Sequence, residues 1–217
     1  THDEQVKVII ITGAGQFFIA GADIKEMAGI APDEAYEIIR KGQLVFTQIE
    51  HSKKPVIAAI NGRYCLGGGT ELAMACHIRL AEDSVQFGQP EIKLGILPAW
   101  GGTERLPRLV GKGRALEIML GGGNIKAQEA YRIGLVNKVV PVGTVIREAK
   151  RWAKLLSMWG GLAMGAVIQA VNESEEMSID DGLKNTADLF VKLTETDDMR
   201  EGVAAFIEKR RPKFQDK

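Results

Sequence analysis

Hydrophobic residues follow two kinds of pattern along the chain. Residues 6–12 (VKVIIIT) and 55–60 (PVIAAI) are nearly continuous apolar runs rich in β-branched residues, which is typical of strands buried on both faces. In Pro32–Glu50, apolar residues recur near helical spacing, which predicts a long helix with one buried face. Shorter strands are predicted at 77–81, 85–87 and 136–140.

The pattern changes near residue 142. From residue 144 onward the spacing predicts only helices, with approximate spans of 144–158, 161–172, 178–194 and 197–209. The sequence therefore predicts an α/β core over residues 1–142 and a helical C-terminal region over residues 143–217.

The stretch 66–91 contains the strongest candidate for chemistry. The glycine triplet 67–69 precedes a helix-forming segment with Glu71 in its first turn, and Pro90-Glu91 is typical of a second helix start. The first N–H groups of a helix lack intrahelical acceptors and favour negative charge. Two acids and free backbone donors could form a proton-transfer site with an oxyanion hole. Glycine triplets are also common in plain tight turns, and first-turn acids often only favour the helix dipole.

Composition limits the classes of partner. The 217 residues include 28 basic and 28 acidic side chains, so no global field attracts nucleic acid or an anionic membrane. No apolar run reaches 18 residues, so no membrane span is predicted. Cys65 and Cys76 lie in apolar surroundings, which favours reduced thiols and a cytoplasmic location. The chain begins at Thr1 rather than Met, so an organellar matrix stays open as an alternative.

Other common motifs fail at particular positions. A dinucleotide-binding fingerprint after residues 6–12 would need glycine where Phe18 stands, and a P-loop before Lys112 would need glycine where Leu106 stands. The three histidines lack ligand spacing, so no metal site is predicted.

Several multi-residue blocks resemble the enoyl-CoA hydratase (crotonase) family. They are residues 20–27 (AGADIKEM), 54–62 (KPVIAAING), 66–71 (LGGGTE), 87–92 (FGQPEI) and tail segments within 196–210. The likeness covers essentially the entire chain in family order. It implies a crotonase-like spiral of ββα turns with a helical C-terminal trimerisation region, assembled as a homotrimer or dimer of trimers. Relatives usually have a further strand pair before the first block.

The resemblance also implies residue roles. Backbone N–H groups of Ala22 and Gly68 would polarise a thioester carbonyl, and Glu71 and Glu91 would hold one water for syn addition to a trans-2-enoyl-CoA. We expect Glu71 to deprotonate this water and Glu91 to protonate the α-carbon. No cofactor is expected, because coenzyme A belongs to the substrate. The implied substrate-binding residues are Ala20, Asp23, Ile24, Lys25, Gly67, Trp100, Phe190 and Lys209, the last two acting from a neighbouring subunit.

Two alternatives stay open. Family isomerases typically lack the acid at Glu71, so retention of both acids favours a hydratase. Some relatives bind RNA through a basic helix, but Pro32–Glu50 has four acids against two bases. Two departures from the family pattern are His77, for which we expect a structural role, and Trp100, which either shapes the acyl pocket or packs its loop.

Overall fold

Parallel strand pairs organise both sheets of the computed structural model, which describes residues 3–21, 23–27 and 29–217. The strands are β1 (Ile9–Thr12), β2 (Val56–Ile60), β3 (Tyr64–Leu66), β4 (Ile78–Glu82), β5 (Gln86–Gly88), β6 (Asn124–Lys126) and β7 (Lys138–Val140). The helices are α1 (Ile24–Met27), α2 (Pro32–Glu50), α3 (Gly68–Ala75), α4 (Gly102–Val110), α5 (Lys112–Gly121), α6 (Ala127–Arg132), α7 (Val145–Leu156), α8 (Gly161–Ser174), α9 (Ile179–Thr194) and α10 (Asp197–Ile207). A 3-10 helix at Pro90–Leu94 lies between β5 and α4.

The four-stranded sheet has the order β1-β2-β4-β7, and its β2–β4 and β4–β7 pairs are parallel. In the second sheet, β5 pairs in parallel with β3 and antiparallel with β6. Every residue of β2 is buried, as its continuous apolar run predicts for a strand covered on both faces. The predicted α/β class is confirmed.

The chain divides into two compact units. The larger comprises Ile10–Glu50 and Val56–Arg151. Its core contains fully buried side chains from both sheets, including Ile57, Leu80 and Phe87.

The smaller unit comprises the described residues up to Ile9, together with His51–Pro55 and Trp152–Lys217. Within it, α9 packs against both α8 and α10. The buried carboxylate of Asp198 accepts hydrogen bonds from the backbone N–H groups of Gln215 (2.6 Å) and Asp216 (3.0 Å), which holds the C-terminal tail against α10. The assignment of residues 143–217 to oligomerisation stays a prediction.

Some local predictions need correction. The strand predicted at 6–12 is only Ile9–Thr12, and none of its residues is buried, because β1 lies at the edge of its sheet. Helix α2 has its predicted bounds, but it buries no residue fully, and its Tyr36 side chain is 64% exposed. Strands β3 and β6 escaped prediction because three residues are too few to establish a period.

No single helix in the described ranges has both the length and the hydropathy of a membrane span. One bent pair, Val145–Leu156 with Gly161–Ser174, meets that test by length and composition only when its two helices are taken together.

Candidate active site

A sharp turn between β3 and α3 positions the glycine triplet. Gly67 has φ 54° and ψ −127°, a left-handed conformation that favours glycine. Its N–H donates to the Gly88 carbonyl at 3.0 Å, and the Thr70 hydroxyl lies 2.6 Å from the Cys65 carbonyl oxygen. The next residue, Gly68, is the first of α3, so its N–H has no acceptor within the helix.

Glu71 is fixed in the first turn of α3 by two backbone donors. Its side chain is buried, and Oε1 accepts hydrogen bonds from the N–H groups of Trp100 (2.7 Å) and Gly102 (2.9 Å). Gly102 begins α4, so the carboxylate also lies at a helix N-terminus. Burial raises the pKa of Glu71 to about 7, the Gly102 hydrogen bond opposes this rise, and the negative charge of Glu91 adds to it.

Glu91 lies in the first turn of the 3-10 helix and is only half-buried. A Cβ placed on Gly67 would lie 3.0 Å from Glu91 Oε1, so this carboxylate lies directly against the glycine turn. The fully buried Gln89 amide, in its hydrogen-bonded orientation, donates to the two carboxylate oxygens at 3.0 and 3.1 Å. Burial raises the pKa of Glu91.

Gly102 lies close both to Glu71 and to Gln89, the residue that contacts Glu91. A Cβ at this position would lie 2.8 Å from the Gln89 amide and 3.1 Å from Glu71 Oε1. Because Gln89 also contacts Glu91, the two carboxylates belong to one cluster at the start of α3. Such a cluster can take up one proton and deliver another.

An ion pair supports the Glu71 side of the cluster. Arg105 on α4 forms a bidentate pair with Glu50 at the end of α2, with N···O distances of 3.0 and 2.6 Å. Its Nη1 also donates to the Trp100 carbonyl at 3.1 Å. The peptide group that follows Trp100 is thus held from α4, and it is the direct neighbour of the peptide group that gives its N–H to Glu71.

His77 has the expected structural role, through hydrogen bonds to two backbone groups. Its Nδ1 accepts the Val56 N–H at 2.9 Å, so in the neutral ring Nε2 donates to the Glu50 carbonyl, also at 2.9 Å. The imidazole therefore joins the end of α2 to the start of β2.

The structure brings some of the predicted site residues together. Gly67, Gly68, Glu71, Glu91 and Trp100 all lie around the first turn of α3.

The segment that leads to Ala22 also approaches this turn. The Leu66 N–H donates to the Ile19 carbonyl at 3.0 Å, and a Cβ on Gly67 would lie 3.7 Å from Gly21 Cα. Ala20 is thereby close to the turn. Ala22, the other predicted oxyanion donor, lies outside the described residues.

The other predicted substrate-binding residues are exposed. Asp23 caps α1 by accepting the Lys25 N–H at 2.9 Å, and Ile24 is 50% exposed. Phe190 on α9 is 64% exposed, and Lys209, with φ 55°, follows α10. Their contacts with coenzyme A stay predictions.

Sequence reasoning missed Gln89 and Arg105. An amide between Gly88 and Pro90, two residues before the acid Glu91, was a usable signal for Gln89. Nothing in the spacing of Arg105 indicated that it pairs with Glu50. Among the described residues, no group of three or more His, Cys, Asp or Glu could hold a metal ion.

Comparison with known proteins gives consistent matches. A family model described as Enoyl-CoA hydratase/isomerase matches residues 1–217. The Crotonyl-CoA hydratase of Syntrophomonas wolfei is 47% identical over 213 residues, 98% of this chain and 82% of that protein. The Short-chain-enoyl-CoA hydratase of Clostridium acetobutylicum is 44% identical over 97% of this chain and 80% of its own length. The crystal structure of an enoyl-CoA hydratase from Bacillus anthracis superposes with a TM-score of 0.95 at 39% identity, covering 100% of this chain and 84% of that one.

Proposed function

The chain belongs to the enoyl-CoA hydratase/isomerase family, and we propose that it adds water reversibly to the double bond of a trans-2-enoyl-CoA. The family resemblance and the crotonase-like fold are confirmed by these comparisons. The observation that supports hydration is the pair of acids, Glu71 and Glu91, joined through Gln89 and Gly102 beside the free end of α3.

The proposed chemistry uses both acids and the helix start. The N–H of Gly68, together with that of Ala22, would bind the thioester oxygen as the enolate forms, a contribution of about 10²–10³ in rate for one such donor. A water held between an ionised Glu71 and a protonated Glu91 would lose a proton to Glu71 while its oxygen attacks the β-carbon. Glu91 would then protonate the α-carbon, and each acid–base step is worth about 10²–10⁴.

Burial makes the pair suitable for this exchange. Burial raises the pKa of Glu71 to about 7 and also raises the pKa of Glu91, so near neutral pH the pair binds a proton more readily than two ordinary carboxyl groups would. One member is then available as a base and the other as an acid. The coenzyme A would arrive as part of the substrate, so the proposal requires no separate cofactor.

Crotonyl-CoA consumption tests the proposal. Wild-type protein should remove the absorbance of the conjugated thioester and yield a product heavier by one water, whereas an isomerase product would have unchanged mass. Glu91→Gln should lower the rate by about 10²–10⁴. A matched control is Glu82→Gln on β4, because Glu82 is also buried and accepts two backbone N–H groups, from Gly62 and Gly143.

The control should stay within a few-fold of wild type. Equal losses in both variants would mean that activity follows folding rather than the Glu91 carboxylate. Activity on none of a series of enoyl-CoA thioesters would contradict the proposed function.

Assembly and location are further parts of the proposal. The smaller unit exposes large apolar side chains on α9 and α10, including Ile179 (83%), Phe206 (85%) and Ile207 (73%), which supports a homotrimer or dimer of trimers formed through these helices. Phe190 and Lys209 would then contact coenzyme A bound to a neighbouring subunit. Light scattering at defined concentration tests the trimer. A cytoplasmic location stays a prediction.

A further inference from the structure

The Trp100 indole fills a space between two glycines on neighbouring helices. A Cβ on Gly68 at the start of α3 would lie 2.7 Å from Cζ3 and 2.8 Å from Cε3 of this ring. A Cβ on Gly42 of α2 would lie 2.6 Å from its Cδ1. Phe46 meets the ring edge-on, with centroids 5.9 Å apart. The six-membered ring therefore lies against the same residue whose N–H would bind the thioester oxygen.

The backbone on both sides of this ring is anchored. The Trp100 N–H donates to Glu71, and its carbonyl accepts from Arg105. The preceding carbonyl, of Ala99, accepts from Gln43 Nε2 on α2 at 2.8 Å. Moving the indole by a backbone shift would break several of these hydrogen bonds, including one that holds the catalytic carboxylate. The ring is thus a fixed wall.

Packing alone holds the indole. Its Nε1 is buried and, within the part of the chain that the structure describes, has no hydrogen-bond acceptor. Replacing the ring by an apolar side chain therefore removes volume without removing a hydrogen bond. This makes Trp100 a clean position at which to test the effect of ring size.

We propose that Trp100 closes the acyl end of the site and restricts the substrate to thioesters with short acyl chains, of about four carbons. This inference rests on the proposed function. A thioester carbonyl at Gly68 and a β-carbon within reach of water on Glu71 place the reacting atoms between two groups that Trp100 touches. Carbons beyond the β-carbon then approach the indole, and in a close-packed site each added methylene needs space that the ring occupies.

Hydration of trans-2-enoyl-CoA substrates with four, six, eight and ten carbons tests the proposal. In the wild type, kcat/KM should fall by about tenfold or more for each added pair of carbons. In Trp100→Leu, the ratio of the eight-carbon to the four-carbon value should rise about 10- to 100-fold above wild type. Trp100→Phe, which removes less volume, should raise that ratio by a smaller factor.

Trp152→Leu is the matched control, because Trp152 on α7 is another tryptophan with a buried indole N–H that has no acceptor among the described residues. It should leave the ratio unchanged, whatever it does to stability. Equal wild-type activity on four and eight carbons would overturn the inference while leaving hydration intact. An unchanged ratio in Trp100→Phe or Trp100→Leu would overturn it as well. Should Trp100→Leu fail to fold, the wild-type series and Trp100→Phe decide the question.

Discussion

The two proposed catalytic acids lie in contrasting surroundings. Glu71 is 2% exposed, sits in an α-helix and receives two backbone hydrogen bonds from a loop that is itself anchored. Glu91 sits in a short 3-10 helix, half-buried, and every residue from Ile92 to Leu97 is exposed, including Leu94 (52%) and Leu97 (59%). We call these regions the buried wall and the exposed rim of the site.

The difference matches the task proposed for each acid. A base that must hold water in one orientation benefits from fixed hydrogen bonds, as at the buried wall. An acid that protonates carbon must come close to a substrate that enters and leaves, which suits the rim. Burial at the buried wall also raises the pKa of Glu71 to about 7.

The largest expected effect comes from removing the charge at the buried wall. Glu71→Gln should lower crotonyl-CoA hydration by about 10²–10⁴, because the amide can still accept from Trp100 and Gly102 but cannot take a proton from water. Steady-state kcat, with Glu82→Gln as the control, measures this loss. A kcat of Glu71→Gln within tenfold of the wild-type value would show that Glu71 does not act as the base.

The same variant should be more stable than wild type at high pH. Folding raises the pKa of Glu71 from its ordinary 4.5 to about 7, so the protonated carboxyl is favoured in the folded state. Protonation of the Glu71 carboxyl contributes fully to the stability of the folded state below pH 4.5, and this contribution is lost as pH rises through 7. Relative to Glu71→Gln, the wild type should therefore lose up to about 3 kcal/mol of unfolding free energy by pH 8.

Urea unfolding of both proteins at pH 5 and pH 8 measures this difference. A stability gap between them that does not change with pH would mean that the Glu71 pKa is not raised by burial.

A methyl group at the start of α3 should have a smaller effect. In Gly68→Ala the added Cβ would lie 2.7 Å from the Trp100 ring, a separation that real Cβ contacts do not tolerate, so the ring or the turn must shift. We expect kcat to fall about 10- to 100-fold, because displaced oxyanion donors and catalytic groups lose efficiency steeply. Adding Trp100→Leu should recover part of the loss. No recovery in the double variant would place the damage in the turn rather than at the ring.

The smallest expected effect comes from replacing Arg105, which anchors the loop that donates hydrogen bonds to Glu71. Arg105→Met removes the donor to the Trp100 carbonyl and a positive charge that lowers the pKa of Glu71. The Glu71 pKa, followed by carbon NMR of labelled glutamate, should rise, and kcat should fall a few-fold with KM nearly unchanged. Arg105→Lys should restore the pKa through its charge. A pKa equal to wild type in Arg105→Met would contradict this positioning role.

The sequence predicted most elements and named several residues that the fold brings close together, for identifiable reasons. A continuous apolar run is almost sufficient to predict β2, and the glycine triplet is almost sufficient to predict the start of α3. A three-residue strand such as β3 is too short to show alternation of apolar and polar residues, so the sequence did not predict the strand that precedes the glycine turn. Arg105 could not be predicted because its partner is distant in sequence, and only the fold brings Arg105 to Glu50. Gln89 lies two residues before its partner Glu91, but the sequence does not show that its amide is buried. The position of the Trp100 ring depends likewise on two glycines 26 residues apart, Gly42 and Gly68.

The division of labour between wall and rim is tested most directly by exchange of the α-protons of butyryl-CoA in D₂O. This reaction needs an acid–base group at the α-carbon and no attacking water. Glu71→Gln should exchange within about tenfold of wild type, whereas Glu91→Gln should lose about 10²–10⁴ of the rate. Equal losses in the two variants, or the larger loss in Glu71→Gln, would contradict the account.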